Sequence, residues 1–424
     1  MNWLLFVILF LFTLRSFLSN GKLILHPAVL PAIMFTLSSL LLALNPEWKY
    51  EISLGTIVYI VFALLSFSFG IKIGVPQKTG RSNPIVLEGI IIKDEVNPKL
   101  MFLVSAICVF VTYKYAQNQY AASVMLGNNL GWAGVILTLR GALNYDTDVF
   151  QLSTSLNLGI SFTRAISYTS LFLLISSLIN KTGKWKLYVV PILCMFANII
   201  LATGRGGFIN VIATIIFDIY IICRLKGVKN IERKITKYSA IGLGLFLAVF
   251  LGLGTLTGKN EVLSTWDAIS IYIGSSILCL DYLINHGSTS PFTFLGMHTF
   301  KGLYGLFARF IPGLPTLGNH AEMVRWSDYS SNVYTSFGPY ITDYGLKGSL
   351  FILLLAGFIF SRAWYKLLRC THLSVLTLVY GRFFGYALCM SSIAERLFSE
   401  YLALNVLVEL FIYVIILKYC IKQK

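Results

Sequence analysis

Long apolar runs recur along this chain, and almost every one is closed by a basic or polar cluster. A bilayer core about 30 Å thick needs roughly 20 apolar residues per crossing helix. The runs predict spans at about 1–18, 23–44, 52–72, 100–116, 157–180, 186–202, 206–223, 238–256, 340–361, 373–391 and 401–418. Stretches such as "LGLFLAVFLGLGTL" lack the period of two that a membrane β-barrel requires. The expected fold is all-α: a polytopic transmembrane helical bundle of about 11 spans, within a range of 11–13.

Sidedness follows from lysine and arginine, which collect in short cytoplasmic loops. Residues 224–237 hold Arg224, Lys226, Lys229, Arg233, Lys234 and Lys237 against Glu232. Lys181, Lys184 and Lys186 mark a second inner turn, Lys72, Lys78, Arg81, Lys93 and Lys99 a third, and Arg362, Lys366 and Arg369 a fourth. Lys418, Lys422 and Lys424 place the C-terminus inside. These assignments alternate with eleven spans and an external N-terminus. The first run has no basic residue before it and no small-residue cleavage pattern after it, so it reads as a retained helix.

Two segments then fall outside, 117–156 and a long one at 257–339, within a single integral membrane domain covering 1–424. The longer contains "AISIYIGSSILCLDYLINH" and "FTFLGMHTFKGLYGLFARFIPGLP", apolar but interrupted by Asp281, His298, Lys301 and Arg309. Both suit interfacial helices that cap a membrane cavity; if both crossed, the sidedness of everything else would survive. Lys301 and Arg309 are expected near one face of a surface helix.

Composition agrees with this reading: 56% of the 424 residues are hydrophobic, 12% are charged, and the mean hydropathy is +0.75. Too few polar residues exist to cover a soluble core. The formal charge of +16 needs no nucleic acid, because the basic loops hold topology against an anionic inner leaflet. Seven scattered cysteines show neither metal-ligand nor redox spacing and read as small core residues. No ATP-binding loop, zinc spacing or internal repeat occurs, so function is expected in the outer loops and in polar residues of the bundle.

Charges inside spans are costly and mark a pathway or a site unless a partner neutralises them. Arg382 and Glu409 fall mid-span on helices adjacent in sequence, which favours an ion pair. Arg164 enters its span about two turns from the outer end with no acid nearby in sequence, and reads equally as a functional cation or a snorkelling side chain. The outer turn "ATGRGG" combines backbone-exposing glycines, Arg205 and a helix N-terminus, a combination suited to phosphate; a tight hairpin with its arginine among lipid headgroups is the alternative. In "SNVYTSFGPYITDYGLKG" the following apolar run is so short that the span must start near Tyr340 and carry Asp343 and Lys347, four apart on one helical face. Asn332, Tyr334, Tyr340 and Tyr344 surround them with groups suited to sugar hydroxyls and to the membrane interface.

"TGRGG" after a span, a large late outer loop and the "SNVYTSFGPYITDYGLKG" lead-in resemble the Wzy-type polymerases of O-antigen or capsular repeat units. The resemblance covers the whole chain as architecture and two short stretches as motif. It implies a membrane glycosyltransferase of GT-C-like architecture in the bacterial inner membrane, with its active site facing the periplasm. It implies transfer of a growing glycan from undecaprenyl diphosphate onto an incoming undecaprenyl-diphosphate-linked oligosaccharide. Membrane lipids and a chain-length regulator are the further partners implied; no nucleotide, cofactor or nucleic acid is.

Such chemistry needs cations for the departing diphosphate and a base for the acceptor hydroxyl. Arg205, Arg309, Arg325 and Arg164 are the candidates for the first role, since a guanidinium binds phosphate oxygens bidentately. His320 and Asp343 are the candidates for the second, ahead of His298 and Asp281. Asn332, Tyr334 and Tyr344 are the candidate glycan-binding residues. Several arginines without paired aspartates point to metal-independent chemistry. A lipid-linked oligosaccharide flippase and an O-antigen ligase remain alternatives; a flippase should show short outer connections and a repeat, whereas a ligase would share these residues.

Overall fold

The computed structural model describes residues 1–76, 96–143, 152–202, 206–228, 230–231, 234–237, 239, 241–242, 265–287, 295–317, 323–370 and 373–420. Its helices are α1 (Asn2–Ser19), α2 (Leu30–Ala43), α3 (Leu54–Gly74), α4 (Pro98–Met125), α5 (Val135–Leu143), α6 (Thr154–Asn180), α7 (Val189–Leu201) and α8 (Gly206–Leu225). They continue with α9 (Thr265–His286), α10 (Lys301–Phe307), α11 (Gly338–Arg369), α12 (Val375–Cys389), α13 (Phe398–Tyr401) and α14 (Leu404–Ile415). Among the described residues, eight helices are long and apolar enough to cross a membrane, which makes this a membrane protein that is nearly all-helical.

The chain forms two compact units, one of Met1–Ser82, Leu263–Arg369 and Phe383–Ala403, the other of Asn83–Val262, Cys370–Arg382 and Leu404–Lys424. In the first unit α3 and α11 run side by side with small residues at their seam. A Cβ on Gly357 would strike the carbonyl oxygen of Phe67, and one on Gly70 the carbonyl oxygen of Leu354. Gly74 faces Ser361 in the same way. Two small-xxx-small pairs thus let the backbones meet, the packing that replaces hydrophobic attraction inside a bilayer. Tyr59 bonds Ser349 at 2.7 Å, Ser66 donates to the Leu350 carbonyl at 2.6 Å, and Ser361 to the Ile71 carbonyl at 2.8 Å. These contacts advance together along both helices, so the two run parallel.

α9 is long enough to cross, and it packs on α2 and on the α2–α3 connection. Trp266 Nε1 donates to Asn45 at 2.8 Å, and fifteen residues later Asp281 accepts from Tyr50 OH at 2.7 Å and from Ser53 N and Oγ at 2.9 and 2.8 Å. Those fifteen residues span about 22 Å of helix. Both ends therefore reach the 45–53 connection, while the middle of α9 packs on α2, where Ser276 and Ser38 bond at 3.1 Å. Among the described residues, the same layer carries a hairpin of β1 (Val324–Trp326) and β2 (Tyr329–Ser331). Trp326 packs edge-on against Trp48 with centroids 5.7 Å apart, and Ser331 accepts from Ser275 at 2.9 Å.

Three expectations need correction. α10 ends at Phe307, so Lys301 and Arg309 do not share one helical face. Gly345 has φ 67° and ψ 178° inside α11, which breaks the helix between Asp343 and Lys347 and takes them off a common face; Lys347 is exposed and Asp343 buried. The spans expected at 23–44 and 100–116 are displaced: α2 starts only at Leu30, and α4 continues to Met125. The span expected at 238–256 lies almost entirely outside the described residues.

In the second unit α6 is central, touching α4, α7, α8 and α14. Ser153 caps its start by accepting from Leu156 N, and Ser167 donates to the Pro191 carbonyl of α7 at 2.6 Å. Most of α6 is buried despite its many hydroxyl residues, which bond back to their own helix or across to α7.

Candidate functional site

The second unit holds a buried charged cluster built by three helices. Arg164 of α6 donates to Glu409 Oε1 at 2.9 Å, and Arg382 of α12 approaches Glu409 Oε2 at 3.4 Å. The Glu409 side chain is wholly buried, that of Arg382 is 9% exposed, and that of Arg164 is 34% exposed. Arg382 and Glu409 do pair, as their mid-span positions suggested, and the same carboxylate serves Arg164, which had no acid near it in sequence.

Arg382 has further partners. Its guanidinium lies over the Tyr168 ring, 4.8 Å from the centroid, a cation–π arrangement. Asn210 of α8, with its amide oriented as the surrounding donors require, accepts from the guanidinium and donates to the Arg382 carbonyl at 3.2 Å. The residue sits on a π-helical turn, Tyr380–Gly385, a local widening of the helix that recurs at functional positions. Asp218, about two turns further along α8, is fully buried, and neither of its oxygens has a hydrogen-bond partner among the described residues.

The first unit gathers most of the other expected residues. Asp343 is 5% exposed, and its two oxygens accept from the backbone N–H of His298 at 3.1 Å and of Thr299 at 2.6 Å. It thereby ties the segment before α10 to the start of α11. Burial holds the half-buried His298 imidazole below its ordinary range, against the pull of the Asp343 carboxylate. Tyr334 is partly buried, while Asn332, Arg309 and Arg325 are exposed, Arg325 on the face of β1 opposite Val324 and Trp326. Arg205 and His320 lie outside the described residues.

Two acids prove to be structural anchors. Asp281 fixes α9 to the N-cap of α3, as described above. Glu395, which the sequence reading passed over, accepts from Leu397, Phe398 and Ser399 N–H at 2.7, 2.8 and 2.7 Å and from Tyr340 OH at 2.9 Å. It caps α13 and pins the first turns of α11. Its position just ahead of a short helix was the available signal, since carboxylates there satisfy orphan N–H groups. Glu395 and Arg396 also line a cavity bounded by Phe35, Phe67, Leu353 and Phe360 together with Ser336, Tyr340 and Ser391.

No protein-family model matches the chain, and no solved structure matches it. An O-antigen polymerase of Shigella dysenteriae is 24% identical over 211 residues, 44% of this chain and 52% of that protein. The chain therefore spans about half the length of the curated relative it matches. It is a helical membrane protein with distant similarity to an O-antigen polymerase.

Proposed function

We propose that this chain is a glycosyltransferase that polymerises undecaprenyl-diphosphate-linked oligosaccharide repeat units at the outer face of the bacterial inner membrane. The similarity to the Shigella dysenteriae O-antigen polymerase carries the reading, and the outer loops and intramembrane arginines support it. In this proposal the bundle has 11–13 spans of GT-C-like arrangement, and a separate protein sets chain length.

The reaction breaks the bond between the growing glycan and its diphosphate and joins that glycan to a hydroxyl of the incoming unit, whose proton goes to a base. Negative charge grows on the departing diphosphate. Fixed cations in a dry setting stabilise such charge without reorganisation. Arg164, Arg205, Arg309 and Arg325 are assigned this role, with no metal ion required. Asn332, Tyr334 and Tyr344 are assigned to the glycan.

Of the two expected bases, Asp343 has both oxygens occupied by backbone N–H groups. We therefore assign proton transfer to His320 and make Asp343 the residue that fixes the 298–299 segment. Deleting the gene tests the reading in cells. Single repeat units attached to acceptor, restored to long chains by the wild-type gene, are expected; loss of all repeat units would point instead to the flippase or ligase.

A further inference from the structure

We propose that Glu409 is an internal placeholder for phosphate. Its two carboxylate oxygens stand where two oxygens of a lipid diphosphate bridge Arg164 and Arg382 when substrate is bound. The inference rests on the lipid-diphosphate reading above and adds Arg382 and Glu409 to it.

Three observations carry it. Glu409 does not clamp one arginine with both oxygens; it gives Oε1 to Arg164 on α6 and Oε2 to Arg382 on α12. A phosphoryl group can make the same bridge and offers a further oxygen to the guanidinium forks. Arg382 does not depend on Glu409 for its position, because Asn210 and the Tyr168 ring hold it while its Glu409 contact is the longer one, at 3.4 Å. Arg164, by contrast, makes the close contact and is a third exposed, so its guanidinium is the part of the cluster that an incoming anion can meet first.

A purely structural triad and a placeholder predict opposite signs for one substitution. In a triad, Glu409 is required. In a placeholder, the Glu409 charge competes with the ligand for both guanidiniums, so Glu409→Gln should strengthen phosphate binding.

Full-length protein in detergent is titrated calorimetrically with geranyl diphosphate and, separately, with inorganic pyrophosphate. Wild type should bind geranyl diphosphate, Glu409→Gln should bind it about tenfold tighter or more once the competing charge is gone, and Arg164→Lys about tenfold weaker through loss of the fork. Equal affinity for pyrophosphate would assign the site to free phosphate chemistry, and a clear preference for the prenyl compound to a lipid headgroup; both retain the placeholder. Unchanged or weaker binding by folded Glu409→Gln overturns it, as does absence of binding of either probe by wild type. Should Glu409→Gln fail to fold, unchanged affinity in Arg164→Lys overturns it instead. Because binding is read directly, a chain that binds but forms no polymer would reject only the polymerase reading.

Discussion

Replacing Gly357 by alanine adds one methyl group where α3 and α11 touch. The new Cβ would meet the Phe67 carbonyl oxygen in an impossible contact, the Phe67 carbonyl carbon at 3.0 Å and the Ile71 nitrogen at 3.1 Å. All three are backbone atoms of α3, so no rotamer change relieves the clash, and the helices must separate. Separation strains the Ser66–Leu350 and Ser361–Ile71 hydrogen bonds that cross the seam. Interhelical bonds in membranes average about 0.6 kcal/mol with an upper value near 1.7, and overpacking costs about 1–3 kcal/mol. The expected loss is about 3 kcal/mol, or roughly 6–12 °C in melting temperature for a unit of about 200 residues. Gly305→Ala is the control, since no heavy atom lies within 4 Å of its Cβ position, and it should stay within about 0.5 kcal/mol of wild type. Thermal unfolding of detergent-purified protein, followed by size-exclusion recovery, reads both. If Gly357→Ala melts with wild type, the close seam between α3 and α11 is wrong.

His26 lies in the turn between α1 and α2, buried, with Nδ1 accepting from Ala28 N–H at 3.2 Å, and burial lowers its pKa from 6.5 to about 4. The unfolded chain takes up that proton near 6.5 and the folded chain only near 4, so stability is full above 6.5 and falls as pH drops toward 4. The loss between pH 7 and 5 is about 2 kcal/mol, and His26→Gln should flatten the pH dependence of the melting temperature; an equally steep profile in the variant would exclude this residue as its source. Asp343→Asn removes one of two charged acceptors and should raise amide exchange at His298 and Thr299 by about 2 kcal/mol of lost protection, and unchanged protection would show that the carboxylate does not hold the segment. Glu395→Gln should destabilise the first unit by about 2–4 kcal/mol, because a buried acceptor of four hydrogen bonds loses its charge and one lone-pair oxygen; a wild-type melting curve would refute the capping role.

Span positions were legible because the bilayer imposes a length and a composition on any crossing helix, and α1, α3, α6, α8 and α11 sit close to where the apolar runs lie. Boundaries were less so. α4 runs nine residues past its apolar stretch through "QNQYAASVM", where hydropathy stops reporting but helix propensity does not. The Asp343–Lys347 pairing assumed an unbroken period of 3.6, and a single residue, Gly345, adopts a backbone that only glycine takes readily. The Arg164–Glu409 bridge joins residues 245 positions apart, and no spacing rule reaches that far. Strands of three residues are too short for alternation to register, which hid the 324–331 hairpin.

The most direct test of the central claim is reconstitution. Purified full-length protein is incubated with undecaprenyl-diphosphate-linked repeat units, with EDTA present and no nucleotide, and the products are resolved on a gel. A ladder at repeat-unit spacing is the predicted result. Intact single units from demonstrably folded protein would contradict the account.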